Sequence, residues 1–181
     1  MKKLTIIAVA LLMCVALLSC SVPSPTILRG VAFGMSKKQV RRIEKENVGR
    51  EPNYEFDRFL YYYYVPFCDY SSEIEYTFSG KGNRLTQIKV EAWIDQSDIQ
   101  SVFADFWGYL EADYGKPKWI ESVSPDGERK LLADDGTGWT AEDLFEYMPQ
   151  NTVWVAFSND DAHVVLYNSS YSYVTMLFTA R

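Results

Sequence analysis

The sequence is poor in the side chains on which most enzymes depend. It contains one histidine, His163, and three cysteines among 181 residues. The spacings typical of zinc sites, phosphate-binding glycine loops and Gly-x-Ser-x-Gly nucleophile turns do not occur. The acidic turns at 134–138 and 159–161 lack the ligand spacing of an EF-hand. We therefore predict a protein without enzymatic activity, cofactor or metal ion.

An excess of positive charge is also missing. The chain has 18 basic and 24 acidic residues, a formal net charge of −6, and this argues against nucleic acid as the partner. Ten glycines and seven prolines are present, and 48% of the residues are hydrophobic against 23% charged. These values exclude collagen-like, low-complexity and wholly disordered chains, and they predict a globular protein.

An apolar run of transmembrane length is absent as well. The longest run, 4–18, has about 15 residues, whereas a helix that spans a bilayer needs about 20. It follows the basic start Met1-Lys2-Lys3 and ends near small residues, as a secretory signal peptide does. We predict that residues 1–19 are a signal peptide and are removed.

The end of this segment, Leu17-Leu18-Ser19-Cys20, resembles the lipobox of bacterial lipoproteins. The resemblance implies cleavage after Ser19 and attachment of acyl chains, such as palmitate, to Cys20, so that an N-terminal lipid holds the protein on the membrane. Ser21 stands where aspartate would retain an enteric lipoprotein at the inner membrane, and this favours the outer membrane, facing the periplasm or the surface. An ordinary secreted protein with a cysteine at the cleavage site is the alternative.

Processing would leave two parts, a lipidated Ser/Pro tether at 20–30 and a globular domain at 31–181. Removal of Lys2 and Lys3 leaves 16 basic and 24 acidic residues, a net charge of −8. With Cys20 lipidated, Cys68 is the only thiol, so no disulfide within the chain is expected.

The remaining charges are unevenly distributed. Residues 20–50 hold seven basic and two acidic residues, whereas residues 51–181 hold nine basic and 22 acidic residues. The predicted anchor thus lies beside a basic segment, and each basic residue near an anionic membrane contributes about 1 kcal/mol. A solvated helix face is the alternative interpretation. The candidate membrane-surface residues share one side of a predicted helix: Lys38, Arg41, Arg42 and Lys45.

Periodicity and turn signals divide the globular part into helices and strands. Ser36, with Gln39 three residues later, forms a capping box that predicts a helix ending near Gly49. A second capping box, Ser97 with Gln100, predicts another helix. Strand-like runs follow the first helix at 58–67, 72–79 and 85–94, and the second at 118–123, 128–133, 152–158, 162–168 and 171–180.

The order of these elements predicts the fold class. Hairpin-linked strands without long crossovers indicate an α+β fold, an antiparallel sheet packed by helices. The two capping boxes and the strands that follow them favour a degenerate tandem repeat of a helix-plus-three-strand unit, with repeats at 33–94 and 95–181. A single α+β domain with two similar helix starts is the alternative.

The segment Gly34-Met35-Ser36-Lys37-Lys38-Gln39-Val40 is similar to the opening motif of SmpA/BamE-like outer-membrane assembly lipoproteins. That group is related in fold to β-lactamase-inhibitor-protein-like domains. Their tandem arrangement resembles the two predicted units more closely than the single unit of BamE-like proteins does. The resemblance covers one short motif and the order of a helix followed by hairpins. It implies a protein-binding, non-enzymatic lipoprotein and carries over no catalytic residue.

Aromatic residues are what the sequence has in excess. They make up 15% of the chain, and 13 of them are tyrosines. Alternation places Tyr61 and Tyr63 on one face of a strand and Tyr62 and Tyr64 on the other. Because Tyr and Trp anchor protein interfaces, we predict a protein-binding face on the sheet. Its candidate residues are Tyr61, Tyr62, Tyr63, Tyr64, Tyr171 and Tyr173.

The leading hypothesis is therefore a lipid-anchored, extracytoplasmic protein-binding module of the bacterial cell envelope, without catalysis. The alternative is a carrier of a small apolar ligand, a lipid or a peptide, in a pocket between the sheet and a helix. The sequence indicates neither the partner nor the oligomeric state.

Overall fold

The described part of the chain forms a single antiparallel sheet of nine strands with two α-helices. The computed structural model describes residues 26–80, 82–169 and 172–181, so the predicted signal peptide, Cys20 and Tyr171 lie outside the described residues. The helices are α1 (Lys37–Val48) and α2 (Ile99–Tyr114). The strands are β1 (Tyr54–Phe56), β2 (Phe59–Phe67), β3 (Tyr70–Phe78), β4 (Leu85–Trp93), β5 (Trp119–Val123), β6 (Arg129–Ala133), β7 (Thr152–Ser158), β8 (Ala162–Ser169) and β9 (Tyr173–Ala180).

The strand order pairs β4, the last strand before α2, with β9, the last strand of the described chain, in the middle of the sheet. The order is β1-β2-β3-β4-β9-β8-β7-β5-β6. Strand β4 pairs with β9 along seven residues, from Gln87 opposite Thr179 to Trp93 opposite Tyr173. On either side of this central pair the chain runs outward through hairpin-linked strands, so the predicted α+β class with an antiparallel sheet is confirmed.

The second half has the predicted strands but not the predicted helix start. All five strand-like runs after α2 form strands, and β5 and β6 precede the three strands β7, β8 and β9 that a helix-plus-three-strand unit would contain. The predicted capping box of Ser97 and Gln100 is wrong. Helix α2 begins at Ile99 after a turn of 3₁₀ helix at Gln96–Asp98, and its N-cap Asp98 makes no capping hydrogen bond with its side chain.

Helix α1 begins and ends where local chemistry places it. The Ser36 hydroxyl accepts a hydrogen bond from the Gln39 backbone N–H, and the Gln39 side chain accepts one from the Ser36 N–H. This reciprocal pair satisfies two of the N–H groups that a helix start leaves without partners. Gly49 ends the helix with a φ of 75°, a left-handed conformation that glycine adopts without strain.

Both helices pack on the same face of the sheet. In α2, Phe106 contacts Phe67 edge to face at 5.4 Å between ring centroids, and Trp107 contacts Phe157 at 5.5 Å. These sheet residues occupy the alternate strand positions whose side chains are buried. The largest fully buried side chains of this layer include Tyr62, Tyr76, Phe78, Phe103, Phe106, Phe157 and Phe178.

A buried carboxylate joins α1 to the sheet. Glu44 is fully buried, and its Oε1 accepts a hydrogen bond of 2.7 Å from the Tyr76 hydroxyl and lies 3.8 Å from Nε of Arg29. The neighbouring Tyr62 is equally buried, but its hydroxyl has no hydrogen-bond partner among the described residues. The two tyrosine rings contact each other edge to face at 6.1 Å. Tyr62 and Tyr76 therefore share one environment, but among the described residues only the Tyr76 hydroxyl has a hydrogen-bond partner.

A bulge places Leu85 of β4 on the face opposite to the one that simple alternation predicts. Alternation would put Leu85 on the same face as Gln87 and Lys89. In the structure Phe78 pairs with Leu85 while Thr77 pairs with Gln87, so one extra residue is accommodated between them. Leu85 is consequently buried on the helix-covered face, where Ile88 and Val90 follow it.

Neither described helix is long and apolar enough to cross a bilayer.

The tyrosine pair beneath α1 yields a stability prediction. Tyr76→Phe should lower the free energy of unfolding by about 1–3 kcal/mol, because it leaves the buried Glu44 carboxylate without its hydroxyl donor. Tyr62→Phe is the matched control and should change stability by less than about 0.5 kcal/mol, since it removes an unpaired hydroxyl. Urea unfolding of the two variants followed by circular dichroism measures both. Equal losses of stability would contradict the role of the Glu44 hydrogen bond.

Candidate functional site

The face of the sheet opposite the helices is not covered by any described helix or loop. Cross-strand partners identify its residues because directly opposed residues share a face. One row runs through Tyr54, Tyr61, Glu75, Lys89, Leu177, Val165, Ala156 and Trp119. The next row runs through Glu73, Glu91, Thr175, Tyr167, Trp154, Glu121 and Leu131. We call the surface formed by these rows and by their same-face neighbours Phe56, Phe59, Tyr63, Tyr64, Trp93 and Tyr173 the open face.

Exposed hydrophobic side chains concentrate there. In the described part of the chain, five large hydrophobic residues are exposed, and Trp93, for example, exposes 54% of its surface. All five lie on the open face: Tyr54, Phe56, Tyr64, Trp93 and Leu131. Scattered exposed hydrophobic residues are ordinary in soluble proteins, but a concentration on one surface is typical of an interaction site.

The aromatic residues of β1 and β2 form one cluster at the edge of the open face. Tyr54 contacts Tyr63 edge to face at 5.7 Å between centroids, and Phe56 contacts Tyr61 in the same way at 6.1 Å. Such contacts hold the rings in fixed orientations without burying them fully. The predicted residues Tyr61 and Tyr63 thus lie together, half-buried, with a strand that the sequence did not reveal.

The prediction that Tyr62 and Tyr64 share a face is wrong. Tyr62 is fully buried beneath α1, whereas Tyr64 is 78% exposed. A bulge between Tyr62 and Val65 inserts an extra residue, and Tyr64 has a φ of 54°. A left-handed conformation is strained for a bulky residue. It turns the Tyr64 ring to the open face, 6.4 Å from the Tyr63 ring.

The loop between α1 and β1 holds this bulge in place. The Tyr63 backbone N–H donates a hydrogen bond of 2.8 Å to Oδ1 of Asn53, and the Arg50 guanidinium donates one to the Tyr63 carbonyl. Both backbone groups of Tyr63 are therefore satisfied. The bulge is a supported feature of the open face and not a local defect.

Two further aromatic pairs lie across the sheet. Trp93 of β4 contacts Tyr173 of β9 at 5.4 Å, so the predicted residue Tyr173 joins the open face. Trp154 of β7 stacks on Tyr167 of β8 at 4.6 Å with an interplanar angle of 13°. The indole N–H of Trp154 is buried and has no acceptor among the described residues. Sequence reasoning missed Trp93, Trp154 and Tyr167.

Charged residues occupy the centre between the aromatic groups. Glu91 is buried, and its Oε2 lies 3.2 Å from Nζ of Lys89 and accepts a hydrogen bond of 3.3 Å from the Thr175 hydroxyl. Glu73 stands directly opposite Glu91 on β3. Burial, and then the charge of Glu91, raises the pKa of Glu73. A hydrogen bond with the Trp93 side chain and the charge of Lys89 oppose this rise in pKa without cancelling it. The centre is therefore acidic.

A groove opens beside this centre. Its volume is about 490 Å³, and it is lined by Tyr64, Ser71, Ser72, Glu73 and Trp93. Two exposed aromatic residues thus line the groove together with a half-buried carboxylate. The arrangement offers flat apolar surfaces together with one hydrogen-bond acceptor of negative charge.

The candidate membrane-surface residues lie on the other side of the molecule, on the exposed side of α1. Glu51 pairs with Arg41 at 2.6 Å and with Lys45 at 2.7 Å, and these contacts lower the pKa of Glu51. Glu55 adds a second partner for Arg41 at 3.2 Å. Within the described residues, Lys38 and Arg42 form no ion pair. Part of the basic charge of α1 is therefore neutralised by the loop and strand that follow it.

Cys68 and His163 are not placed together for catalysis. Cys68 occupies the turn between β2 and β3 with Asp69, both with positive φ, as in the two-residue hairpin turns that match strand twist. His163 lies on β8 and is exposed, and its Nε2 accepts a hydrogen bond of 3.2 Å from Arg181. Burial, followed by the charges of Asp105 and Asp69, raises the pKa of Cys68 to about 11.

The acidic turns carry the hydrogen bonds of ordinary turns. Oδ1 of Asp135 accepts from the Thr137 backbone N–H at 2.9 Å, and Oδ1 of Asn159 accepts from the N–H groups of Asp161 and Ala162 at 3.0 Å. In the ranges that the structure describes, no group of three or more His, Cys, Asp or Glu side chains is placed to hold a metal ion.

Comparisons of the chain with protein-family profiles, with curated protein sequences and with solved structures find no match. The geometry of the open face and the features of the sequence are therefore the basis for a functional assignment.

The raised pKa of Cys68 predicts low thiol reactivity. At pH 7.5 the thiolate should be about 100-fold less populated than in the denatured chain, so labelling by a disulfide reagent should be slower by a similar factor. The full chain with Cys14→Ser and Cys20→Ser keeps Cys68 as its sole thiol, and labelling in urea provides the control. Similar rates in the native and denatured chains would mean an accessible, activated thiol.

Proposed function

We propose that this protein is a lipid-anchored, non-catalytic protein-binding module of the bacterial cell envelope, and that the open face is its contact surface. The observation that carries the proposal is that all five exposed large hydrophobic residues of the described chain lie on this one face. Tyr and Trp dominate it, and these residues supply much of the binding energy in protein interfaces.

Features that are costly for the isolated fold also support a contact surface. Three such features lie on the open face: the left-handed Tyr64, the Trp154 indole N–H, which has no acceptor among the described residues, and the opposed carboxylates of Glu73 and Glu91. Each of them is unfavourable in the free protein. Local departures from good packing are expected where a surface is selected for binding.

The alternative function, a carrier of a small apolar ligand between sheet and helix, is less well supported. That layer is occupied by large side chains that are fully buried, among them Tyr62, Phe103, Phe106 and Phe157. Rings from α2 and the sheet contact each other directly at 5.4–5.5 Å between centroids. A ligand would have to displace these contacts.

The proposed anchor and the open face are compatible in geometry. Signal-peptide removal and lipidation of Cys20 would tether the chain close to the bilayer, ahead of α1. The basic residues Lys38, Arg41, Arg42 and Lys45 point away from the sheet, because α1 packs through Val40 and Glu44. With this side against the membrane, the open face would point away from it, towards proteins of the envelope.

The tandem repeat also remains a proposal. Supporting it, β2-β3-β4 and β7-β8-β9 have the same hairpin order after a helix, and they meet through their last strands, β4 and β9. Under this interpretation β1 and β5-β6 are additions at the two edges. A repeat of this kind would explain why one continuous sheet has its helices on a single face.

Lipidation gives the first prediction for cells. The wild-type protein should fractionate with membranes, and Cys20→Ser should abolish lipid attachment and move the processed protein to the soluble envelope fraction. Metabolic labelling with an alkyne palmitate and fractionation measure the two effects. Palmitate labelling of Cys20→Ser at the level of the wild type would contradict lipid anchoring.

The open face gives the second prediction. After chemical crosslinking in intact cells, the double variant Tyr54→Ser/Trp93→Ser should retain less than about a tenth of the partner protein that the wild type retains, since hot-spot aromatics dominate interfaces. Lys38→Ser/Arg42→Ser, on the opposite side, is the matched control and should retain it. Equal recovery with both double variants would exclude the open face as the contact surface.

A further inference from the structure

The groove of the open face combines aromatic residues with a carboxylate. Tyr64 and Trp93, exposed by 78% and 54%, both line it. Glu73, which is half-buried, lines it as well. Aromatic faces attract cations, and a carboxylate within an aromatic groove adds a directional hydrogen-bond acceptor.

Beside the groove, Lys89 faces both Glu73 and Glu91, and the Trp93 side chain gives Glu73 a hydrogen bond but no positive charge. Lys89, the basic residue of the central rows, pairs with Glu91 at 3.2 Å, and Glu91 stands directly opposite Glu73. Among the described residues Glu73 forms no ion pair. Like charges directly opposed across two strands repel each other, and partial burial increases the effect. An additional positive group at Glu73 would remove this repulsion.

We propose that the groove receives the guanidinium group of an arginine side chain from the partner protein. This inference rests on the proposed function, because it names the chemistry by which the open face recognises its partner. The guanidinium lies between the rings of Tyr64 and Trp93 and donates hydrogen bonds to the carboxylate of Glu73.

Arginine fits this groove better than the other charged or apolar side chains. Its guanidinium is planar, stacks on aromatic rings and donates two parallel hydrogen bonds to one carboxylate. A lysine ammonium is a compact, strongly hydrated charge that makes less use of two flat walls. An apolar side chain would cover Glu73 without a partner, which is unfavourable for a charged group. An acidic side chain would be repelled by Glu73 and Glu91.

The test uses the full chain in detergent micelles, with ¹⁵N-labelled tryptophan and the peptide acetyl-Gly-Arg-Gly-amide as the probe. A single contact of this kind predicts a dissociation constant on the order of 1 mM. The indole signal of Trp93, assigned through Trp93→Phe, should shift on titration. The same peptide with citrulline, which has the shape of arginine without its charge, should bind at least about tenfold more weakly.

Two variants separate this role from a structural one. Glu73→Gln should weaken arginine binding at least about tenfold, while its melting temperature stays at or above that of the wild type, since the opposed charge is removed. Glu121→Gln is the matched control, because Glu121 lies on the far part of the open face and pairs with Arg129 at 3.1 Å. It should leave arginine binding unchanged.

The outcomes distinguish this inference from the proposed function. No shift of the Trp93 signal up to 20-fold above the expected dissociation constant, equal binding of the citrulline peptide, or equal effects of Glu73→Gln and Glu121→Gln would each overturn the arginine pocket. If any of these occurs while Tyr54→Ser/Trp93→Ser still loses the cellular partner, the contact surface stands and only its proposed chemistry fails. If both fail, the open face has no binding role.

Discussion

The structure depends on one constraint, which is that a broad sheet has two faces and the described helices cover only one. Away from the bulges in β2 and β4, strand alternation then decides which face each side chain of the sheet occupies. Residues in phase with Tyr76 and Phe157 are buried under α1 and α2, and residues in phase with Lys89 stay on the uncovered side. Aromatic residues occur in both phases. Those under the helices build the core, and those on the other side form a surface that globular proteins rarely leave without a partner.

The open face contains aromatic residues that favour binding and charged residues that limit which partners can bind. Rings along β1, β2, β4, β7, β8 and β9 supply contact area, while Glu73, Glu91 and Lys89 keep the centre charged. A flat apolar sheet surface of this size would invite aggregation, and charges placed within it limit the set of partners. The strained Tyr64 and the unpaired Trp154 N–H add local cost at the same surface. The fold thus concentrates its unfavourable features where binding can compensate for them.

The sequence predicts the features that depend on neighbouring residues. It does not predict those that depend on contacts between residues far apart in the chain. Helix α1 follows from Ser36, Gln39 and Gly49, and most strands follow from alternation. The face of Tyr64 could not be predicted, because its bulge depends on hydrogen bonds from Arg50 and Asn53 in a preceding loop. The burial of Glu44 could not be predicted either, because it depends on Tyr76, 32 residues away, whose hydroxyl donates a hydrogen bond to it. Trp93 and Tyr173 are brought together by the pairing of β4 with β9, which no local pattern encodes.

The central claim is that the open face contacts a protein partner in the cell envelope. Site-specific photocrosslinking in intact cells tests it most directly, with p-benzoylphenylalanine placed singly at Trp93, at Leu131 or, on the opposite side, at Glu46. The account predicts one and the same protein adduct from positions 93 and 131 and none from position 46. Adducts from position 46 alone, or from all three positions equally, would contradict it.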